Sequence, residues 1–137
     1  MSDVWPPVWY HPRPMTTTRL IAEAEGLAFL GLYEDAWGVL DNLILPDQVK
    51  PAMRAVRVMI CQGWERWELG TELASQIGPT EEQRHRETVG RFHLAHALAQ
   101  CAAGDLMRAR TAVWAMALVW PEGRGLARDS QALAAMW

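Results

Sequence analysis

A cadence recurs three times along this chain, each time between two helix-like runs, and it limits the available folds more than any other feature. The first copy reads Gly31-Leu32-Tyr33-Glu34-Asp35-Ala36. A degenerate second reads Glu65-Arg66-Trp67-Glu68-Leu69-Gly70, and the third is Gly104-Asp105-Leu106-Met107-Arg108-Ala109. The small residues that close the copies stand at 36, 70 and 109, spacings of 34 and 39 residues. A recurrence near 34 residues with two helices per unit predicts stacked helical hairpins, none of which can bury its apolar face alone. That arrangement makes a surface for holding another chain, not an enzyme core.

At 137 residues, half of them apolar, the chain is long enough for one hydrophobic core. Its net charge of −3 provides no general attraction to nucleic acid or to an anionic membrane surface. Cys61 and Cys101 fall inside apolar helical runs, with no CxxC and no metal-ligand spacing. They read as buried free thiols in a reducing compartment. The N-terminus lacks the basic and apolar regions of a signal peptide, and no stretch approaches the roughly 20 apolar residues of a spanning helix. A cytoplasmic protein with no membrane partner is the expectation.

Residues 1–15 differ from the rest. Val4 to Pro14 holds four of the eight prolines together with Trp5, Trp9 and Tyr10. Proline fixes φ and removes a donor, so an extended arm is predicted here. The helical domain is placed at 16–137. Thr16-Thr17-Thr18 offers a cap for a first helix carrying Leu20, Ala24, Leu27 and Leu30. A second opens at Glu34-Asp35 and stops at Pro46. Asp47 is expected to cap a third, with Val49, Met53, Val56, Val58 and Ile60 as its apolar residues. A fourth runs from about Arg66 to Ile77. Thr80 and Gln83 have the spacing of a capping box for a long fifth helix reaching Gln100, whose extra length accounts for the spacing of 39. A sixth spans Leu106 to Val119 and ends at Pro121, and a short last helix covers Leu126 to Met136.

The cadence resembles the tetratricopeptide repeat, a helix pair of about 34 residues with small side chains at the helix crossings, an aromatic between helices and a closing proline. Units starting near residues 17, 51 and 90 bring this chain into that pattern. Ala97, Ala109 and Pro121 fit in the third unit. Ala24, Tyr33 and Ala36 fit in the first, where Pro46 comes two residues early. Trp67 and Gly70 fit in the second, where Val58 replaces a small residue. The resemblance covers about residues 17–121. It implies an all-α right-handed superhelix of three stacked helix-turn-helix repeats with a C-terminal cap from about residue 122, packed through Leu126, Leu133 and Met136.

The same resemblance implies that the first helices of the pairs line a concave groove. Its floor would be Thr18, Ile21, Glu25 and Ala28, then Ala52, Ala55, Met59 and Gln62, then Arg91, Leu94, Leu98 and Cys101. The implied peptide-binding residues are Ile21, Glu25, Met59, Gln62, Arg91, Leu94 and Leu98. Family members that clamp a C-terminal carboxylate use Lys and Asn there. Here Ile21 and Glu25 occupy two of those places and Asn42 is the only asparagine, which argues against a clamp. A mostly apolar groove suits an extended strand or an amphipathic helix. The function implied is a non-catalytic protein-interaction module or adaptor, chaperone-like, with a protein or peptide partner and no cofactor.

Two alternatives come from other features. The arm through Trp5, Trp9 and Tyr10 could join protomers into a homodimer, dock in its own groove or pack outside the first helix pair. His93 and His96, at i and i+3, could form a small-molecule or metal site, but no third ligand stands at a motif distance and no nucleophile accompanies them. Arg84, Arg86, Arg91, Arg108 and Arg110 are interleaved with Glu81, Glu82, Glu87 and Asp105. That mixture predicts a salt-bridged surface, not a nucleic-acid interface. The remaining tryptophans read mostly as core, with Trp64 and Trp120 partly exposed at turns.

Overall fold

The computed structural model describes residues 16–136, starting where the sequence places its first helix cap. The arm of residues 1–15, with Trp5, Trp9 and Tyr10, lies outside the described residues, as does Trp137. The Thr16 hydroxyl accepts the Arg19 N–H at 3.2 Å and opens α1, Thr17–Phe29. Then come α2 (Tyr33–Asp41), α3 (Pro51–Trp64), α4 (Trp67–Ala74), α5 (Gln83–Ala102), α6 (Leu106–Val119) and α7 (Arg124–Asp129), with short 3-10 turns at Leu45–Val49, Pro121–Gly123 and Ala134–Met136. The described residues are all-helical and contain no strand. Consecutive helices pack as pairs, α1 on α2, α3 on α4 and α5 on α6, and α3 also packs on α1 and α5.

The recurring cadence is built as the same turn three times. In each turn a residue in the left-handed region ends the first helix: Gly31 at φ 80°, Glu65 at φ 58° and Gly104 at φ 81°. The next N–H then reaches five residues back. Leu32 donates to Leu27, Arg66 to Cys61 and Asp105 to Gln100, each at 2.9 Å. This closes the helix with a Schellman-type bond. Burial follows the same offsets. Ala24, Val58 and Ala97 are buried, as are Ala36, Gly70 and Ala109, then Leu40, Ala74 and Val113, then Leu43, Ile77 and Met116.

Glu65 is the one non-glycine residue in the left-handed region among the described residues. A side chain there costs about 1–2 kcal/mol that glycine avoids. Glu65→Gly is therefore expected to raise stability by about 1 kcal/mol, read as a higher urea midpoint at unchanged slope. A lower midpoint would show that the Glu65 side chain earns its place by contacts that outweigh the strain.

The core has two parts that meet at α3. One gathers Ala24, Ala28, Ala36, Leu40 and Leu43 around Met53, Val56 and Ile60 of α3. The other runs from Ala55, Val58 and Cys61 through α5 and α6 to Leu133 and Met136. A buried Arg57 ties α3 to the α2 end: it donates to Asp41 at 2.9 Å and to Gln48 at 3.0 Å, and lies 4.1 Å from the Trp37 ring centre. Burial raises the Cys61 thiol pKa to about 11, so it stays protonated and inert near neutral pH. Cys101, expected to be buried, is only half-buried, and both thiols are free.

Several local expectations need correction. Asp47 does not cap α3, because it sits in the 3-10 turn, accepts from the Thr17 hydroxyl and pairs with Lys50 at 3.0 Å; Lys50 and Pro51 open the helix. Thr80 does not cap α5 either. A turn closed from the Gly78 carbonyl to the Glu81 N–H spans Pro79 and Thr80, and Glu82 precedes the helix without a side-chain cap. The last helix is split, since extended backbone at Ser130 ends α7 and lets Leu133 and Met136 turn back into the core. Leu126 is exposed, and Ala127 is buried in its place. Trp120 is buried, seated against Gly90 and Gly123, whereas Trp114 is 56% exposed.

Candidate binding cleft

The first helices of the three pairs, α1, α3 and α5, line one cleft of about 290 Å³. Helix α1 contributes Thr18, Ile21, Ala22 and Glu25, and α3 contributes Ala52, Ala55, Val56 and Met59. The wall on α5 is Arg84, His85 and Thr88. Helix α3 packs on both α1 and α5, so its residues form the floor and the other two helices the sides. Among these residues Ala55 and Val56 are buried, Ile21 and Met59 half-buried, and Ala22 and Glu25 exposed. The floor is thus apolar and open to solvent.

Polar groups stand at the two sides. Glu25 has no ion-pair partner among the described residues. Across the floor Arg84 pairs with Glu82 at 3.0 Å, both exposed. The His85 pKa is lowered, first by burial and next by the Arg84 charge, against a partial opposing pull from Glu82 and Glu81. A neutral imidazole at the cleft wall offers one donor and one acceptor.

The structure brings three of the sequence-derived groove residues to this cleft: Ile21, Glu25 and Met59. Gln62 lies farther along α3 and is half-buried outside it. Arg91, Leu94 and Leu98 do not line it. Arg91 pairs with Glu87 at 3.0 Å and lies 5.2 Å from the Trp120 ring centre, Leu94 packs on the core, and Leu98 is exposed. The reason is the added length of α5. Its first two turns, residues 83–89, precede the stretch that matches α1 and α3, and they supply the wall. The capping pattern signalled a long helix, and that length was the available clue to Arg84, His85 and Thr88.

His93 and His96 both contact Phe92 but otherwise sit in different surroundings. His93 is buried, and burial, with a smaller contribution from His96, lowers its pKa to about 4. His96 stacks on Trp67, ring centres 5.2 Å apart, and its Nε2 lies 3.2 Å from the Gln100 amide. Its pKa is lowered by burial and then by Arg108. His96 borders a second, shallower depression of about 760 Å³ with Arg66, Trp67, Glu68 and Arg108. Among the described residues no group of three His, Cys, Asp or Glu side chains is placed to hold a metal ion. Of the arginine cluster, Arg84, Arg86, Arg91 and Arg108 are each paired with an acid. No helix among the described residues is long and apolar enough to cross a membrane. Neither a family model, nor a curated protein, nor a solved structure matches the chain.

Proposed function

We propose that this chain is a tetratricopeptide-like helical-repeat protein that acts without catalysis, as an adaptor or chaperone-like module holding an apolar peptide segment of a protein partner. The observation that carries this reading is the cleft itself: the first helices of all three pairs meet around one apolar floor. The threefold turn and the burial at matching offsets support the repeat assignment.

The cleft's size narrows the ligand. About 290 Å³ is at the small end of ligand pockets, so it takes one or two apolar anchor side chains and leaves the rest of the peptide on the rim. Glu25 on one rim can accept from peptide N–H groups or a basic side chain. An anchor such as Leu, Met or Phe over Ile21 and Met59 supplies the main affinity, since burying it contributes about 1.5–3 kcal/mol.

Ala22→Trp tests the reading, because Ala22 is exposed at the cleft and its enlargement fills the space without entering the core. A displayed random-peptide library panned on the wild-type protein is expected to enrich sequences with a large apolar anchor. Those peptides should bind Ala22→Trp at least about tenfold more weakly, a loss of about 1.4 kcal/mol, while its circular dichroism stays helical. Equal binding to both proteins would sink the cleft as the site.

A further inference from the structure

Helix α6 carries large apolar side chains on both its buried and its exposed face, the exposed ones standing beside Arg108, Arg110 and Thr111. Ala109, Ala112, Val113, Met116 and Ala117 are buried against the rest of the fold, while Met107 is 81%, Trp114 56% and Leu118 77% exposed. The helix contains no acidic residue. A surface helix ordinarily turns a polar stripe to water, and large apolar side chains grouped on its exposed side mark an interaction surface. Exposed Met and Trp grouped on one face are the side chains that anchor protein interfaces.

We propose that this face is covered by a second copy of the chain, α6 packing antiparallel on α6 across a two-fold axis. The argument rests first on spacing. Met107, Thr111, Trp114 and Leu118 are separated by four, three and four residues, a pattern that reads the same in both directions. A two-fold axis between residues 112 and 113 therefore sets Met107 against Leu118 of the partner subunit and Trp114 against Thr111 of the partner subunit. The short threonine leaves room for the indole, and the long methionine reaches the leucine. An isologous interface requires this kind of self-match. Arg110, on the flank, falls opposite Ala115 of the partner subunit, so no like charges face each other directly.

The stripe spans about 16 Å of helix. A specific interface needs about 1,000 Å² in total, and the exposed Met107, Trp114 and Leu118 of each copy are the large side chains that contribute to it. None of the stripe residues lines the cleft between α1, α3 and α5, so pairing through α6 leaves the cleft open in both copies.

Sedimentation equilibrium on the full chain tests the proposal. The wild-type protein is expected to show a monomer–dimer equilibrium. Trp114→Ala should raise the dimer dissociation constant at least about 30-fold, as loss of a central aromatic anchor does, and Leu118→Glu should leave only monomer. Both side chains are exposed in the single chain, so circular dichroism should stay unchanged. The register has its own test in a Cys101→Ala background. Oxidising a mixture of Met107→Cys and Leu118→Cys proteins should give cross-linked dimer. Met107→Cys alone should not, because its two copies would lie about 16 Å apart along the helices, beyond disulfide reach. A wild-type protein that stays monomeric at every concentration, or a dimer that survives both Trp114→Ala and Leu118→Glu, overturns the proposal.

Discussion

Phe92→Ala should lower the unfolding free energy by about 3–5 kcal/mol, the cost of emptying a fully enclosed aromatic site. Phe92 is the joint between α4 and α5. Its ring lies 5.6 Å from that of Trp67 and 5.5 Å from that of His93, centre to centre. It rests on Gly70, where an added Cβ would fall inside the space of the Phe92 ring and 3.0 Å from the Cys61 Cβ. Gly70→Val is thus expected to cost about 2 kcal/mol by overpacking. The two changes share one space, so Gly70→Val with Phe92→Ala should cost less than their sum by at least about 1 kcal/mol. Urea unfolding of the four proteins measures that cycle. Strict additivity would mean that the two helices shift apart independently of this contact.

Acid should unfold the protein sooner than its carboxylates alone require. In the folded chain His93 holds its proton only below about pH 4, chiefly because it is buried, whereas the unfolded residue titrates near 6.5. Above 6.5 the imidazole is neutral in both states and favours neither. As pH falls from 6.5 toward 4 the unfolded state takes up the proton first, and about 3 kcal/mol of stability is lost. His85 and His96, whose pKa values are also lowered, act in the same direction. His93→Gln should flatten the stability profile between pH 6.5 and 4 relative to wild type. An unchanged slope would place the acid sensitivity elsewhere.

Much of the helical layout could be read from side-chain size and turn chemistry. Gly31 and Gly104 mark turns because only glycine enters the left-handed region freely, and Ala36, Gly70 and Ala109 mark crossings because helices approach closely there. Glu65 was harder to read, since its conformation is imposed by the pairing of α3 with α4 and is not preferred by the residue. The cap signals at Asp47 and Thr80 mislead for a related reason: Thr17 and Lys50 take the Asp47 carboxylate, and a backbone turn over Pro79 and Thr80 intervenes before α5 begins.

The cleft was legible on α1 and α3 and not on α5. A side chain's face follows from helical periodicity, but its height along the groove depends on where the helix begins relative to its neighbours. Seven additional residues before α5's matching stretch move the wall from Arg91 and Leu94 to Arg84 and Thr88. The outward stripe of α6 is not legible from sequence, because Trp114 and Leu118 look like core in a linear reading. Only burial of Val113 and Met116 shows which side of the helix the core uses.

The three like turns also separate two jobs along each helix pair. Hydrogen bonds around Gly31, Glu65 and Gly104 lock how the partners meet at one end, so added length is taken up at the opposite end. Helix α5 is longer than α1 by seven residues, 20 against 13, without displacing the crossing at Ala97 and Ala109. The height of a cleft wall is in this way an adjustable dimension, free to be raised or trimmed by whole turns while the joints that hold the fold stay fixed.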